Sequence, residues 1–266
     1  MKFPYVIFVA LFFLSCNTHQ EVFKTVNLRL VKENDSFDEP LKGDKSPLSI
    51  YKAEAATGNE PAKDAEFPFS VKIGDTTIAI QIDEQKKIHQ FRSAKFLNDE
   101  ETCLLVDFKD AGDQQQKFYL IIARGTAIEA VELDRPAEAS SKNSNNNNMD
   151  RIGSVAFLIN NDIVLRKRDL KVFFLKRQRE EQRLPGYFVL QSPDRRTLIF
   201  QQPPNKLYQV NYLSGTANTI TVDPDQMANS EAFHTWIRTD FSWKKDKSGD
   251  TFLKENNNDE IIEMKL

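Results

Sequence analysis

The chain has 266 residues, 40% of them hydrophobic and 28% charged, with a formal net charge of −3. That length allows one large domain or two small ones, and the near-neutral charge offers no electrostatic footprint for nucleic acid. Cys16 and Cys103 are the two cysteines, so if Cys16 is modified no intramolecular disulfide can form.

The first element is a leader. Lys2 supplies a positive charge, and residues 3–14 are an unbroken apolar run of 12. A bilayer span needs about 20 such residues, so the run fits the core of a signal peptide instead. It ends in Phe13, Leu14, Ser15 and Cys16, which resemble a bacterial lipobox in the small Ser15 and the cysteine. The resemblance implies a signal peptide over 1–15 and a thioether-linked diacylglycerol on Cys16. It also implies a membrane-anchored lipoprotein of the bacterial cell envelope. Asn17, where an Asp would favour retention in the inner membrane, points to the outer membrane. Several acyl chains anchor a protein stably where one binds only marginally.

Residues 16–65 are expected to be the lipidated cysteine and a mostly flexible tether. One strand-like alternation lies at 26–30, and 32–65 is rich in Lys, Glu, Asp, Ala and Pro. From residue 66 to 266 the pattern is β. Phe67, Phe69, Val71 and Ile73 alternate, Gly74 and Asp75 punctuate, and Ile78, Ile80 and Ile82 resume the rhythm, which predicts a hairpin. Further short runs fall at 103–108, 118–123, 127–133, 155–159, 172–175, 187–190, 197–201, 207–212, 219–222, 234–243 and 261–266. The predicted class is all-β: repeated four-stranded antiparallel units, propeller-like or a sandwich, with at most one short helix. Residues 163–184 read either as a helix ending at Leu184-Pro185-Gly186 or as a long exposed hairpin.

Two stretches repeat. Lys117-Phe118-Tyr119-Leu120 with Gly125-Thr126-Ala127 and Val131-Glu132-Leu133-Asp134 returns as Lys206-Leu207-Tyr208-Gln209 with Gly215-Thr216-Ala217 and Ile220-Thr221-Val222-Asp223. The spacing, about 90 residues, leaves room for one diverged unit centred on 155–175. The later copy, with Ser192-Pro193-Asp194 before its second strand and Ser214-Gly215 before its last, resembles the blades of TolB- or WD-like β-propellers. That resemblance implies that Ser192-Pro193-Asp194 turns between strands one and two, and Gly215 between three and four.

Chemistry-bearing motifs are sparse. Gly-x-Ser-x-Gly, His-Glu-x-x-His and phosphate-binding Gly-rich loops are absent from the sequence, and His19, His89 and His234 have no second ligand at metal spacing, so no cofactor or metal is expected. The strongest charge asymmetry is 166–183, with eight Lys or Arg against three acids. From this run Arg166, Lys167, Arg168, Lys176 and Arg177 are candidate contacts for an anionic partner, beside the alternative of a solvated face. Trp236 and Trp243 are candidate anchors for a sugar or protein, or else core. Cys103, in an apolar run, reads as a small buried hydrophobe.

The expected function is a lipid-anchored envelope protein with a non-catalytic binding or scaffolding role toward a protein or envelope component. Its expected partners are the membrane, through its N-terminal lipid, and that component, with no nucleic acid. An envelope hydrolase and an immunity or inhibitor lipoprotein acting on a toxin are the alternatives.

Overall fold

The computed structural model describes residues 22–38, 47–52, 67–109, 116–125, 127–138, 148–227 and 230–256. The leader, Cys16 and the strand expected at 261–266 lie outside them.

The described chain is dominated by strands. The first sheet is formed by β1 (Val22–Leu30), β2 (Leu48–Lys52), β3 (Phe69–Ile73), β4 (Thr76–Gln81), β5 (Lys87–Ile88), β6 (Ser93–Phe96), β7 (Cys103–Lys109), β8 (Gln116–Arg124) and β9 (Ala127–Glu132). Its order is β2-β3-β4-β1-β9-β8-β7-β6, with β5 beside β4. The expected hairpin forms around Gly74 and Asp75, with Ile73 opposite Thr76. β1 joins two antiparallel groups by running parallel to both: Val22 to Asn27 pair along β4, and Leu28 to Leu30 along β9. The sheet curls until its far sides touch. Phe69 and Phe91 exchange backbone hydrogen bonds of 3.1 and 2.8 Å, and Phe91 is fully buried. The result is a nearly closed, barrel-like sheet around Val26, Val71, Ile78, Ile80, Leu104, Val106, Tyr119 and Ile121.

The tether boundary therefore moves. β1, the segment through Phe37 and β2 all lie within the stretch expected to be flexible, and Phe37 is fully buried. The alternation at 26–30 is the visible end of a nine-residue strand. Its first four residues are exposed, which hides it from a search for apolar periodicity.

Two further four-stranded meanders follow. The first is β10 (Met149–Ile152), β11 (Ala156–Ile159), β12 (Ile163–Arg166) and β13 (Lys171–Phe174); the second is β14 (Tyr187–Gln191), β15 (Thr197–Gln202), β16 (Lys206–Asn211) and β17 (Ala217–Thr221). Together with β6–β9 they make three successive antiparallel units. The diverged unit expected between the two sequence copies is the β10–β13 meander.

Period-2 side-chain alternation explains the stacking. In β7, Cys103 and Leu105 face the β10–β13 meander while Leu104 and Val106 face the interior of the curled sheet. In β11, Phe157 and Ile159 turn back toward β7 and β8, and Ala156 and Leu158 turn forward. In β15, Leu198 and Phe200 face the β10–β13 meander and Ile199 faces away. These strands are buried on both faces, hence their unbroken apolar runs.

The units share backbone chemistry as well. Where strand one turns into strand two, Asn98 Oδ1 accepts the N–H groups of Thr102 and Cys103 at 3.1 Å each; in the last meander Ser192 Oγ does the same for Arg196 and Thr197 at 3.2 and 3.0 Å. The carbonyls of Thr102, Val155 and Arg196, each just before its second strand, accept from the N–H groups of Ala123, Lys167 and Tyr212 at the end of the third. Gly125 and Gly215 turn strand three into strand four with φ of +61° and +71°, a left-handed geometry that glycine adopts without strain.

The chain then departs from β structure. α1 (Pro224–Met227) and α2 (Ser230–Asp240) precede a hairpin of β18 (Phe241–Lys245) and β19 (Thr251–Glu255). This corrects one expectation, the strand at 234–243. Phe233, Trp236 and Ile237 are spaced three and four apart, which places them on one helical face against the last meander. Of the two readings of 163–184, helix or hairpin, the structure gives a hairpin over the first part and no helix. That first part is the tight β12–β13 hairpin, and the polar tail after Leu175 is a turn held by ion pairs.

Candidate functional site

The seven candidate residues separate into four environments. Arg166, Lys167 and Arg168 follow one another at the end of β12, where the hairpin turn begins. Lys176 is exposed but lies past β13, whose far end pairs with Ile163, at the opposite end of that hairpin.

Arg177 is not a surface contact at all. Its side chain is 1% exposed, and it donates to both carboxylate oxygens of Asp162 (2.8 and 2.5 Å) and to the carbonyls of Pro136 (2.8 Å), Glu180 (2.5 Å) and Arg135 (3.4 Å). Arg135 adds a 3.4 Å contact to Asp162 and pairs with Glu180, while Arg183 pairs with Asp134. Two of the four cations in the basic tail, Arg177 and Arg183, thus clamp the links before and after the β10–β13 meander, while Lys176 and Arg179 are exposed.

Trp236 on α2 and Trp243 on β18 both pack, partly buried, on the cluster of Phe233, Ile237, Phe241 and Leu253. Trp236 meets Phe241 edge to face at 4.9 Å. Both belong to the apolar layer, Trp236 from a helix and Trp243 from a strand.

What the structure adds is the setting of Arg166, Lys167 and Arg168. They line a cavity of about 460 Å³ with Ser154, Val155, Asp194, Arg196, Tyr212 and Leu213. The cavity sits in the seam between the second and third meanders, at the end where strand one turns into strand two. Each meander contributes the same two parts: its first turn (Ser154 and Val155; Asp194 and Arg196) and the end of its third strand (Arg166 to Arg168; Tyr212 and Leu213). The two carbonyl contacts of Val155 with Lys167 (2.8 Å) and Arg196 with Tyr212 (3.0 Å) fix these pairs in equivalent places. Arg195 crosses the seam to donate to Ser154 Oγ at 3.0 Å.

The charges are unbalanced. Arg166 is neutralised by a two-point contact with Asp169, at 2.8 and 2.5 Å, and its guanidinium lies 4.9 Å from the ring centre of Phe173. Asp194 is already engaged by Ser192 Oγ (2.5 Å), the Arg196 N–H (3.2 Å) and Thr251 Oγ1 (3.1 Å). Burial opposes ionisation of Asp194, but these hydrogen bonds and nearby Arg196 hold its carboxyl below the usual range. Among the described residues, Lys167, Arg168 and Arg196 have no ion-pair partner. Lys167 stands 4.4 Å from the ring centre of Phe157; burial, with Lys95 and Arg151 nearby, depresses its pKa. A cation crowded by cations gains most from an anion brought to it.

Tyr212 completes the lining. It is 7% exposed, and among the described residues its hydroxyl has no hydrogen-bond partner. Burial pushes its pKa up, against the pull of Arg166 and Arg196, so the hydroxyl remains a donor at neutral pH. Neither Arg196 nor Tyr212 was a sequence candidate. The signal that could have found them is the repeat itself, since aligning the turns and third strands puts them opposite Val155 and Lys167.

His89 meets Phe23 edge to face with ring centres 5.0 Å apart, and the side chain of His234 lies outside the described residues. Among the described residues no three His, Cys, Asp or Glu side chains converge as metal ligands. None of the protein-family models, curated proteins or solved structures compared with the chain matches it.

Proposed function

We propose that this protein is a lipid-anchored component of the bacterial cell envelope that binds an anionic envelope component or protein partner without turning it over. The observation that carries the reading is the seam cavity with three cations, Lys167, Arg168 and Arg196, that have no ion-pair partner among the described residues. Arg168 and Arg196 are exposed and Lys167 is half-buried, so an anion entering the cavity meets three like charges that no neighbouring carboxylate pairs. The apolar run before Cys16 supports the anchor, and stacked meanders supply a rigid frame on which a site can be held.

Two measurements test the reading. Changing Cys16 to Ala should move the protein from the membrane to the soluble envelope fraction. Crosslinking in intact cells, followed by mass spectrometry, should recover a partner with the parent and lose it with a Lys167→Glu/Arg196→Glu variant. A Cys16→Ala protein that still sediments with membrane refutes the anchor. A partner captured equally by the charge-reversed variant refutes the site.

A further inference from the structure

We infer that the seam cavity is a phosphate site: it takes the phosphate group of a larger ligand, a phosphorylated sugar or a phospholipid headgroup. The inference rests on the cavity being the binding site proposed above and narrows the chemistry of what enters it.

The donor inventory is the first argument. Lys167 offers three N–H donors, Arg168 and Arg196 offer five each, and Tyr212 offers an O–H, while none of these side chains except the tyrosine can accept. Asp194 is the one carboxylate in the lining, and both its oxygens are engaged. Ser154 Oγ already accepts from Arg195. Free donors therefore face a ligand with few free acceptors opposite it, so the ligand must be rich in acceptors and poor in donors. A phosphate monoester presents three terminal oxygens and close to two negative charges at neutral pH; a carboxylate presents two oxygens and one charge.

The second argument is Tyr212. The body of its side chain is packed, and its hydroxyl, with no protein partner among the described residues, leaves one O–H donor available to a ligand in the cavity. It stands at the end of β16, beside the turn that carries Arg196, and so at the wall of the cavity that the third meander supplies. The third is size. At about 460 Å³ the cavity exceeds what a phosphate ion alone would fill, and the apolar side chains of Val155 and Leu213 in its lining suit the non-phosphate part of the ligand. Leu213 is 41% exposed, which places it at the rim.

The test is calorimetric titration of the purified full-length protein with four probes. These are inorganic phosphate, glucose 1-phosphate, glucuronate, and phosphatidylcholine vesicles with and without phosphatidic acid, whose headgroup is a phosphate monoester. Glucose 1-phosphate should bind at least ~10-fold more tightly than glucuronate, which keeps the sugar ring but carries a carboxylate. Lys167→Ala and Arg196→Ala should each weaken it ~10- to 100-fold, the range for a charge-assisted hydrogen bond, and Tyr212→Phe about 5-fold. Melting temperatures equal to the parent's show that these variants fold. Binding to the phosphatidic acid vesicles alone, with the same sensitivity to Lys167 and Arg196, supports the inference and assigns the phosphate to a lipid headgroup. Glucuronate binding as well as glucose 1-phosphate overturns the phosphate assignment and leaves an anion site. No binding of any probe, or binding indifferent to all three substitutions, overturns both.

Discussion

Replacing Arg177 with Met should be among the most damaging single changes in the described chain, although the residue lies in a sequence that reads as solvated charge. Its guanidinium holds both oxygens of Asp162 and reaches the carbonyls of Arg135, Pro136 and Glu180. Methionine fills similar space and provides none of these donors. Asp162, with a side chain 1% exposed, is then left with a single contact from Arg135 at 3.4 Å. Removing one partner of a buried ion pair typically costs about 3–5 kcal/mol. At about 2–4 °C per kcal/mol for a chain of this size, the melting temperature should fall by roughly 6–20 °C. Calorimetry and urea unfolding followed by far-UV circular dichroism measure this directly. The double variant Arg177→Met/Asp162→Leu removes the stranded charge too and should recover part of the loss. An Arg177→Met protein within ~1 kcal/mol of the parent would refute the reasoning, because the ion pair would then not be the clamp that its geometry describes.

Gly186→Ala should be severe, since a Cβ there would lie 1.9 Å from the Gln201 carbonyl oxygen at a φ of +89°; refolding yield after urea should drop sharply. Gly215→Ala, with φ +71° and no atom within 4 Å of the added carbon, should cost only the ~1–2 kcal/mol of left-handed strain, read from the same unfolding curves. Cys103 is fully buried and burial drives its thiol pKa upward, so a thiol reagent at pH 8 should label it only after denaturant is added. Asp169 is held below its ordinary pKa of 3.8 by the hydrogen bond from Arg166. Its stabilising contribution is therefore complete above that value and lost as pH falls through the lower, folded one. Arg166→Ala should flatten the decline in stability below about pH 4, and an unchanged acid limb would contradict the pairing.

Much of the fold was legible because double-sided burial leaves continuous apolar runs. Cys103-Leu104-Leu105-Val106 and Phe118 through Ala123 announce themselves, and the Gly125 and Gly215 turns mark the repeat. β1 was not legible as a strand from its start, since Val22 to Thr25 are exposed and its pairing comes from β4 and β9, distant in sequence. The helix at 230–240 was misread because Trp236, Phe241 and Trp243 mimic a loose alternation; the spacing of Phe233, Trp236 and Ile237 was the better guide. At the candidate site, charge density pointed to Arg166, Lys167 and Arg168. It also pointed to Arg177, whose neutralising Asp162 precedes β12. Sequence shows the sign of a charge but not whether an opposite one folds beside it. Arg196 and Tyr212 come from a neighbouring unit, and only the stacking of two meanders makes them part of one wall.

The early start of β1 bears on how such a protein would stand in its surroundings. Six peptide steps separate Cys16 from Val22, a leash of no more than ~22 Å when fully stretched. With a lipid on Cys16, the body would ride close above the headgroups rather than sample a wide volume on a long cord. Whatever it captures would have to arrive at the bilayer surface or already reside there, and lengthening the five residues between Cys16 and Val22 should widen its reach without touching the seam.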